Sequence, residues 1–229
     1  MININFDVYS DTPKGRDPDS YSPTLRNYHK LLWSKELPSG EVFNLSDDIP
    51  RKLKHNSKLG EFIISSDSIG HTYRYTKSMH EIVKQVPTSE MDDFFLKCST
   101  IGAYMVFPAN KVDNKMTING ARGFNRSIKD RFDLTLECIR LEYLGITNPL
   151  CETLNRYANF FKLFENFNSY VDFFLLQDLI NDKDSSINFW LPFNGFEEKP
   201  LPCNIDEYLT YKNNLIRFIS NRNKRVALQ

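Results

Sequence analysis

The chain has 229 residues, enough for one substantial core, and it balances 29 basic against 29 acidic side chains at a mean hydropathy of −0.46. That balance excludes a protein drawn to nucleic acid or an anionic membrane by net charge alone. Residues 51–130 carry 13 basic against 8 acidic side chains, which leaves room for a local basic patch there.

The four cysteines (Cys98, Cys138, Cys151 and Cys203) are scattered without metal-ligand spacing and read as free thiols of a reducing cytosol. The first residues lack a basic stretch followed by an apolar run, so no secretory leader is expected. No apolar segment reaches the roughly 18 residues of a membrane span. The expectation is a soluble, cytoplasmic protein with no membrane partner.

In chain order, the first forty residues are full of turn signals, Thr12-Pro13-Lys14-Gly15 and Asp17-Pro18 among them. Ser22 before Pro23 is an N-cap and N1 pair that opens a helix to Trp33. Strands are expected at Phe43–Leu45 and Phe62–Ser65, and a helix capped by Ser89 over Glu90–Lys97. Ile101–Phe107 reads as a strand closed by Pro108, with Lys115–Ile118 as its hairpin partner across Asp113-Asn114. From Arg126 onward the pattern turns helical, with helices at about 126–144, 150–165, 168–181 and 205–222, the last capped by Asn204. Ile187–Leu191 is irregular or strand-like.

No repeat or flexible linker divides the chain. The expected fold is one α+β domain over 1–229, a strand-rich N-terminal half (about 1–120) packed against a helical C-terminal half (about 126–222).

The segment Asn119-Gly120-Ala121-Arg122-Gly123-Phe124-Asn125-Arg126 reads as a glycine-bracketed arginine loop that feeds a helix. On a helical wheel over 126–143, Ile128, Phe132, Leu136, Ile139 and Tyr143 form one apolar strip, and Leu134, Cys138 and Leu141 form another. Between them lie Arg126, Lys129, Asp130, Asp133, Glu137 and Arg140. Asp130, Asp133 and Glu137 would then be like-charged neighbours at helical spacing, which repel. Pairing with arginines, a divalent cation such as magnesium, or a raised carboxyl pKa would relieve this. These three acids are the candidate catalytic residues, with Arg122, Arg126 and Arg140 as phosphate ligands near a helix N-terminus. The other reading is an internal salt-bridge lock.

On the Pro23–Trp33 helix, Arg26, His29, Lys30 and Trp33 share one face, a second cationic candidate for phosphate and a stacked base. His71, in a run with Tyr73, Arg74 and Tyr75, reads as a hydrogen-bonded structural histidine. Histidines 55, 71 and 80 have no metal-ligand spacing. The pairs Phe94-Phe95, Phe160-Phe161 and Phe173-Phe174 read as core. Arg222, Lys224 and Arg225 read as a solvated helix end.

Two segments, Asp11–Lys30 (DTPKGRDPDSYSPTLRNYHK) and Thr117–Glu137 (TINGARGFNRSIKDRFDLTLE), resemble a bacterial family of uncharacterised proteins, and Tyr170–Asp178 fits it as well. The similarity runs across nearly the whole chain, implies one domain and transfers no catalytic residue. The functional expectation is an enzyme acting on a phosphate-bearing substrate, a nucleotide or nucleic acid, with a toxin or phage-defence role. The alternative is a non-catalytic module that binds a protein partner and in which the Arg/Asp/Glu network is a structural lock.

Overall fold

Four strands from the first half of the chain make the only sheet in the computed structural model, which describes all 229 residues. They are β1 (Ser46–Ile49), β2 (Lys52–Ser57), β3 (Gly60–Ser68) and β4 (Tyr104–Pro108), antiparallel and in sequence order. β2 and β3 form a hairpin closed at Ser57 and Gly60, and their pairing ends at Leu53 and Ile64. β3 outruns β2, so residues 65–68 pair only with β4, where Asp67 faces Met105 and Ser68 faces Tyr104. Phe62, Ile64 and Ser66 are buried on one face of β3, and strand alternation sends Ser65 and Asp67 to the other.

Ten helices surround the sheet. α1 (Pro18–Tyr21) and α2 (Pro23–Trp33) precede it, and α3 (His80–Val83) and α4 (Thr88–Cys98) lie between β3 and β4. After β4 come α5 (Ile118–Phe124), α6 (Phe132–Tyr143), α7 (Cys151–Arg156), α8 (Ala158–Lys162), α9 (Phe167–Phe173) and α10 (Ile205–Val226). The fold is α+β, with the strands in the N-terminal half and a helical C-terminal end. One connected core of 57 buried apolar residues draws on both halves. No helix is long and apolar enough to cross a membrane.

Capping residues place helix starts as their chemistry requires. The Ser22 hydroxyl accepts from the Leu25 N–H at 3.0 Å, and the Asn204 side chain accepts from the Glu207 N–H at 2.9 Å. α10 runs past the expected end at 222. Arg222 is therefore no solvated tail: it is fully buried and donates to the carbonyls of Phe174, Gly102 and Tyr104 at 3.1, 3.0 and 2.7 Å. Asn223 accepts from the Gly102 N–H at 2.8 Å, so α10 is bolted to the turn that leads into β4.

The expected helix at 126–144 does not exist as one element. Thr117 caps α5, so the presumed arginine loop is itself helical and Lys115–Ile118 is no hairpin strand. α5 stops at Asn125, whose side chain accepts from the Ser127 N–H at 2.9 Å. Lys129 and Asp130 then adopt left-handed backbone at φ +48° and +62°, which costs an L-residue about 1–2 kcal/mol and breaks helical phase. α6 begins only at Phe132.

The expected helix at 150–165 is likewise split at Tyr157 into α7 and α8. The one expected at 168–181 ends at Phe173, before Leu175 at φ +57°. Phe43–Leu45 sits just ahead of β1. Ile101–Ala103 is a 3-10 turn before β4, and Ile187 makes only an isolated bridge to Ile180. The aromatic pairs are core except for Phe95, which is exposed.

Candidate functional site

The turn between α5 and α6 reorganises the charged residues. Because Asp130 lies outside helical phase with Asp133 and Glu137, the three acids do not converge. Asp133, fully buried, accepts from Arg131 Nε and Nη2 at 3.1 and 2.5 Å and from the Trp190 N–H at 2.9 Å. Arg131 is buried too and spends another N–H on the Pro200 carbonyl at 2.9 Å. Glu137 takes both bonds of a two-pronged contact from Arg140 at 2.7 and 2.8 Å. α6 is buried all around from Phe132 to Ile139, so Asp133 and Glu137 look into protein, whereas Arg140 lines a surface pocket that Arg122 does not share. No three His, Cys, Asp or Glu side chains cluster to hold a metal ion.

The second expected cation face also dissolves. His29 and Trp33 are 1 % exposed, and the indole N–H donates to His29 Nδ1 at 3.1 Å. Burial, with Arg222 nearby, drives the His29 pKa down to about 3. A neutral, enclosed imidazole cannot attract phosphate. Arg26 donates to the Ser20 carbonyl at 2.8 Å, and Lys30 pairs with Asp47 at 3.1 Å. Arg126 is exposed and separate from Arg122, in a surface groove with Lys129.

What does converge is a different set, built around Arg122. α5 lies along the outer face of β3: the Asn119 amide donates to the Ser65 hydroxyl at 3.1 Å, and one helical turn later Arg122 reaches Asp67 at 2.8 Å. Arg122 is fully buried, with a second N–H on the Asp130 carbonyl oxygen at 3.1 Å and its Nη1 3.6 Å from the Asp130 carboxylate. Glycine at 123 makes room for that carboxylate, since a Cβ there would lie 3.1 Å from its nearer oxygen. His71 completes the set, its Nε2 3.5 Å from Asp130 Oδ2.

Elements distant in sequence hold His71 in place. The Tyr211 hydroxyl on α10 donates to the His71 carbonyl at 2.8 Å, and the Tyr208 hydroxyl to the Thr72 carbonyl at 2.6 Å. Tyr73, left-handed at φ +54°, donates its hydroxyl to the Lys129 carbonyl at 2.8 Å and so ties the two loops together.

The acids and the histidine of the cluster stay partly open to solvent. The Asp67, His71 and Asp130 side chains keep 40, 41 and 25 % of their surface, above an arginine that keeps none. Surrounding protein pushes Asp67 up to about 6 against the pull of Arg122, and Asp130 and Asp17 push the same way. Desolvation holds His71 below its usual value; Asp130 opposes that shift, and Arg122 reinforces it. His71 Nδ1 and Arg122 Nε are enclosed without partners. Beside the cluster, on the edge of β3 that β2 leaves free, Asp19 accepts from the Ser66 N–H and hydroxyl at 2.5 and 2.8 Å, and burial raises its pKa to about 6.

Of the expected site residues, then, the structure joins Arg122 and Asp130 and disperses the rest. Asp67 and His71 are the additions. The sequence carried one signal for them, an acid and a histidine four residues apart at the end of a strand, but nothing that linked them to residues 122–130.

A profile for the family described as "Family of unknown function (DUF6994)" matches residues 2–226, and the chain belongs to that family. Neither a curated protein nor a solved structure matches.

Proposed function

We propose that this protein is an enzyme that performs acid–base chemistry on a phosphate-bearing substrate, with Asp67, His71 and Asp130 as the reacting cluster and Arg122 as its anchor. The observation that carries the reading is a chain of partly exposed groups on one fully buried arginine: Asp67 at 2.8 Å and Asp130 at 3.6 Å from Arg122, with His71 3.5 Å from Asp130. Burial raises the pKa of the Asp67 carboxyl to about 6 even beside Arg122. That suits a general base, because proton transfer is most effective when the group's pKa lies near the working pH. Asp67 would accept a proton from a bound hydroxyl or water. The complementary transfer would run through His71 Nε2, the nitrogen beside Asp130, because Nδ1 is enclosed.

The lock reading keeps support in one part of the molecule. Arg131–Asp133 is a buried, closed pair, and Arg140 holds Glu137 through two bonds at 2.7 and 2.8 Å. They support α6 and are removed from the catalytic assignment. A toxin or phage-defence setting belongs to the proposal as its cellular context, and growth arrest on expression that disappears with Asp67→Asn would support it.

The direct test incubates the purified protein with nucleoside mono-, di- and triphosphates, sugar phosphates and short RNA and DNA, followed by phosphorus NMR. Conversion of at least one substrate is expected, reduced about 100-fold or more by Asp67→Asn and by His71→Asn, with melting temperatures close to wild type. No conversion across the panel, or turnover untouched by both variants, would overturn the proposal.

A further inference from the structure

The turn that brings Asp130 to the cluster also presents Arg126 and Lys129 to a separate surface groove of about 420 Å³. Its opposite wall is the segment Lys199–Cys203, and Met79 and Ile82 contribute from the α3 region. Three cations, Arg126, Lys129 and Lys199, line it, and no acidic residue does. None of the three takes part in an ion pair, although eleven such pairs occur elsewhere in the molecule. The remaining lining is largely apolar: Met79, Ile82, Leu201 and two prolines.

The two walls are fixed to one another, since Arg131, at the end of the turn, donates to the carbonyl of Pro200. The turn is also held from the side by Tyr73 on Lys129 and from behind by Arg122 on Asp130. The groove is therefore preformed, which lowers the ordering cost of binding. Its volume falls within the roughly 300–1,000 Å³ of small-ligand clefts.

We infer that this groove binds the phosphate group of a small, nucleotide-sized phosphate ester, with Arg126, Lys129 and Lys199 on the phosphate and the apolar lining against its uncharged body. Three cations lining one groove without an acidic partner match a phosphate dianion, and guanidinium suits it by its two-pronged geometry. The apolar floor adds what inorganic phosphate alone would leave uncovered. A long nucleic-acid strand fits less well, because it calls for a continuous basic track and the chain has no net charge. The assignment of this ester to the substrate rests on the acid–base reading above; the binding itself does not. Asp130 directly follows Lys129 in the chain, so the turn that lends Lys129 to the groove also lends Asp130 to the reacting cluster.

The test is calorimetric titration with adenosine 5′-monophosphate, adenosine, inorganic phosphate and a short RNA. Adenosine monophosphate is expected to bind, adenosine about tenfold more weakly or worse, and inorganic phosphate to compete. Lys199→Glu and Arg126→Glu should each weaken binding by about tenfold or more, since charge-assisted hydrogen bonds are at stake. Both residues are exposed, so folding should be unaffected. Adenosine binding as tightly as its monophosphate, affinity unchanged in both variants, or RNA binding at least tenfold tighter than the nucleotide would overturn the inference. Repeating the titration on Asp67→Asn keeps the two readings apart: retained binding with lost turnover upholds both, whereas retained binding with no turnover even in wild type removes the catalytic reading alone.

Discussion

Replacing Asp133 with alanine separates a structural acid from a catalytic one. The carboxylate is fully buried and is the only anion on Arg131, itself 2 % exposed; it also accepts from the enclosed Trp190 N–H. Its removal leaves a guanidinium inside the protein with only the Pro200 carbonyl as partner. Breaking a buried pair by deleting one member costs about 3–5 kcal/mol. For a chain of this length each kcal/mol corresponds to about 2–4 °C in melting temperature, so Asp133→Ala should melt roughly 6–20 °C below wild type. Adding Arg131→Met to that background removes the stranded charge and should recover part of the loss, leaving the cost of the unpaired Trp190 N–H. Circular-dichroism melts and urea titrations of the three proteins read this directly. A single variant within about 2 °C of wild type, or a double variant that loses about as much again, would refute the view that this pair holds α6 to the rest of the core.

Three further outcomes are expected. In Asp130→Asn, the imidazole of His71 should titrate at still lower pH than in wild type, because Asp130 is the group that opposes desolvation there; an NMR titration showing an upward move would remove Asp130 as its orienting partner. Asp19 and Asp67 both carry folded-state pKa values raised to about 6 from an unfolded value near 4, so the native state holds more protons between those limits. Their contribution to stability is present at low pH and is lost as pH climbs from about 4 to about 6. Asp19→Asn, which keeps an acceptor for Ser66, should therefore gain on wild type in melting temperature over that interval; an advantage that shrinks as pH rises would contradict the assignment. Gly102→Ala should destabilise by about 1–3 kcal/mol, since its Cβ would lie 2.5 Å from Asn223 Oδ1 and 2.8 Å from the Ile219 carbonyl, both on α10. Equilibrium unfolding that matches wild type would show that α10 yields easily at this contact.

Local chemistry was legible wherever a single residue decides the outcome. Ser22 before Pro23 and Asn204 before a helical run place two helix starts, because a side-chain acceptor for an end N–H needs only its neighbours. The order of strands and helices also follows from periodicity and turn residues, and with it the α+β class. The break between Asn125 and Arg131 was not legible in that way. Its two left-handed residues are ordinary Lys129 and Asp130, held by bonds to Asn125 and Arg122 just before them and to Tyr73, which only the assembled fold brings there. One missed turn moved every charge after it, because a wheel drawn through a break assigns neighbours that never meet.

His29 illustrates the same limit. Its helix was placed correctly, yet only tertiary packing, with Arg222 near His29 and Phe173 and Phe174 against Trp33, turned the imidazole and indole of that face into core. The sequence by itself determined the α+β class and the starts of α2 and α10 with their caps. The tertiary structure alone chose the partners of Arg122, bringing Asp67 and His71 to it from about 55 and 51 residues away in the chain. Such contacts depend on where strands and helices cross, a property of the assembled core and not of any short stretch that contributes to it.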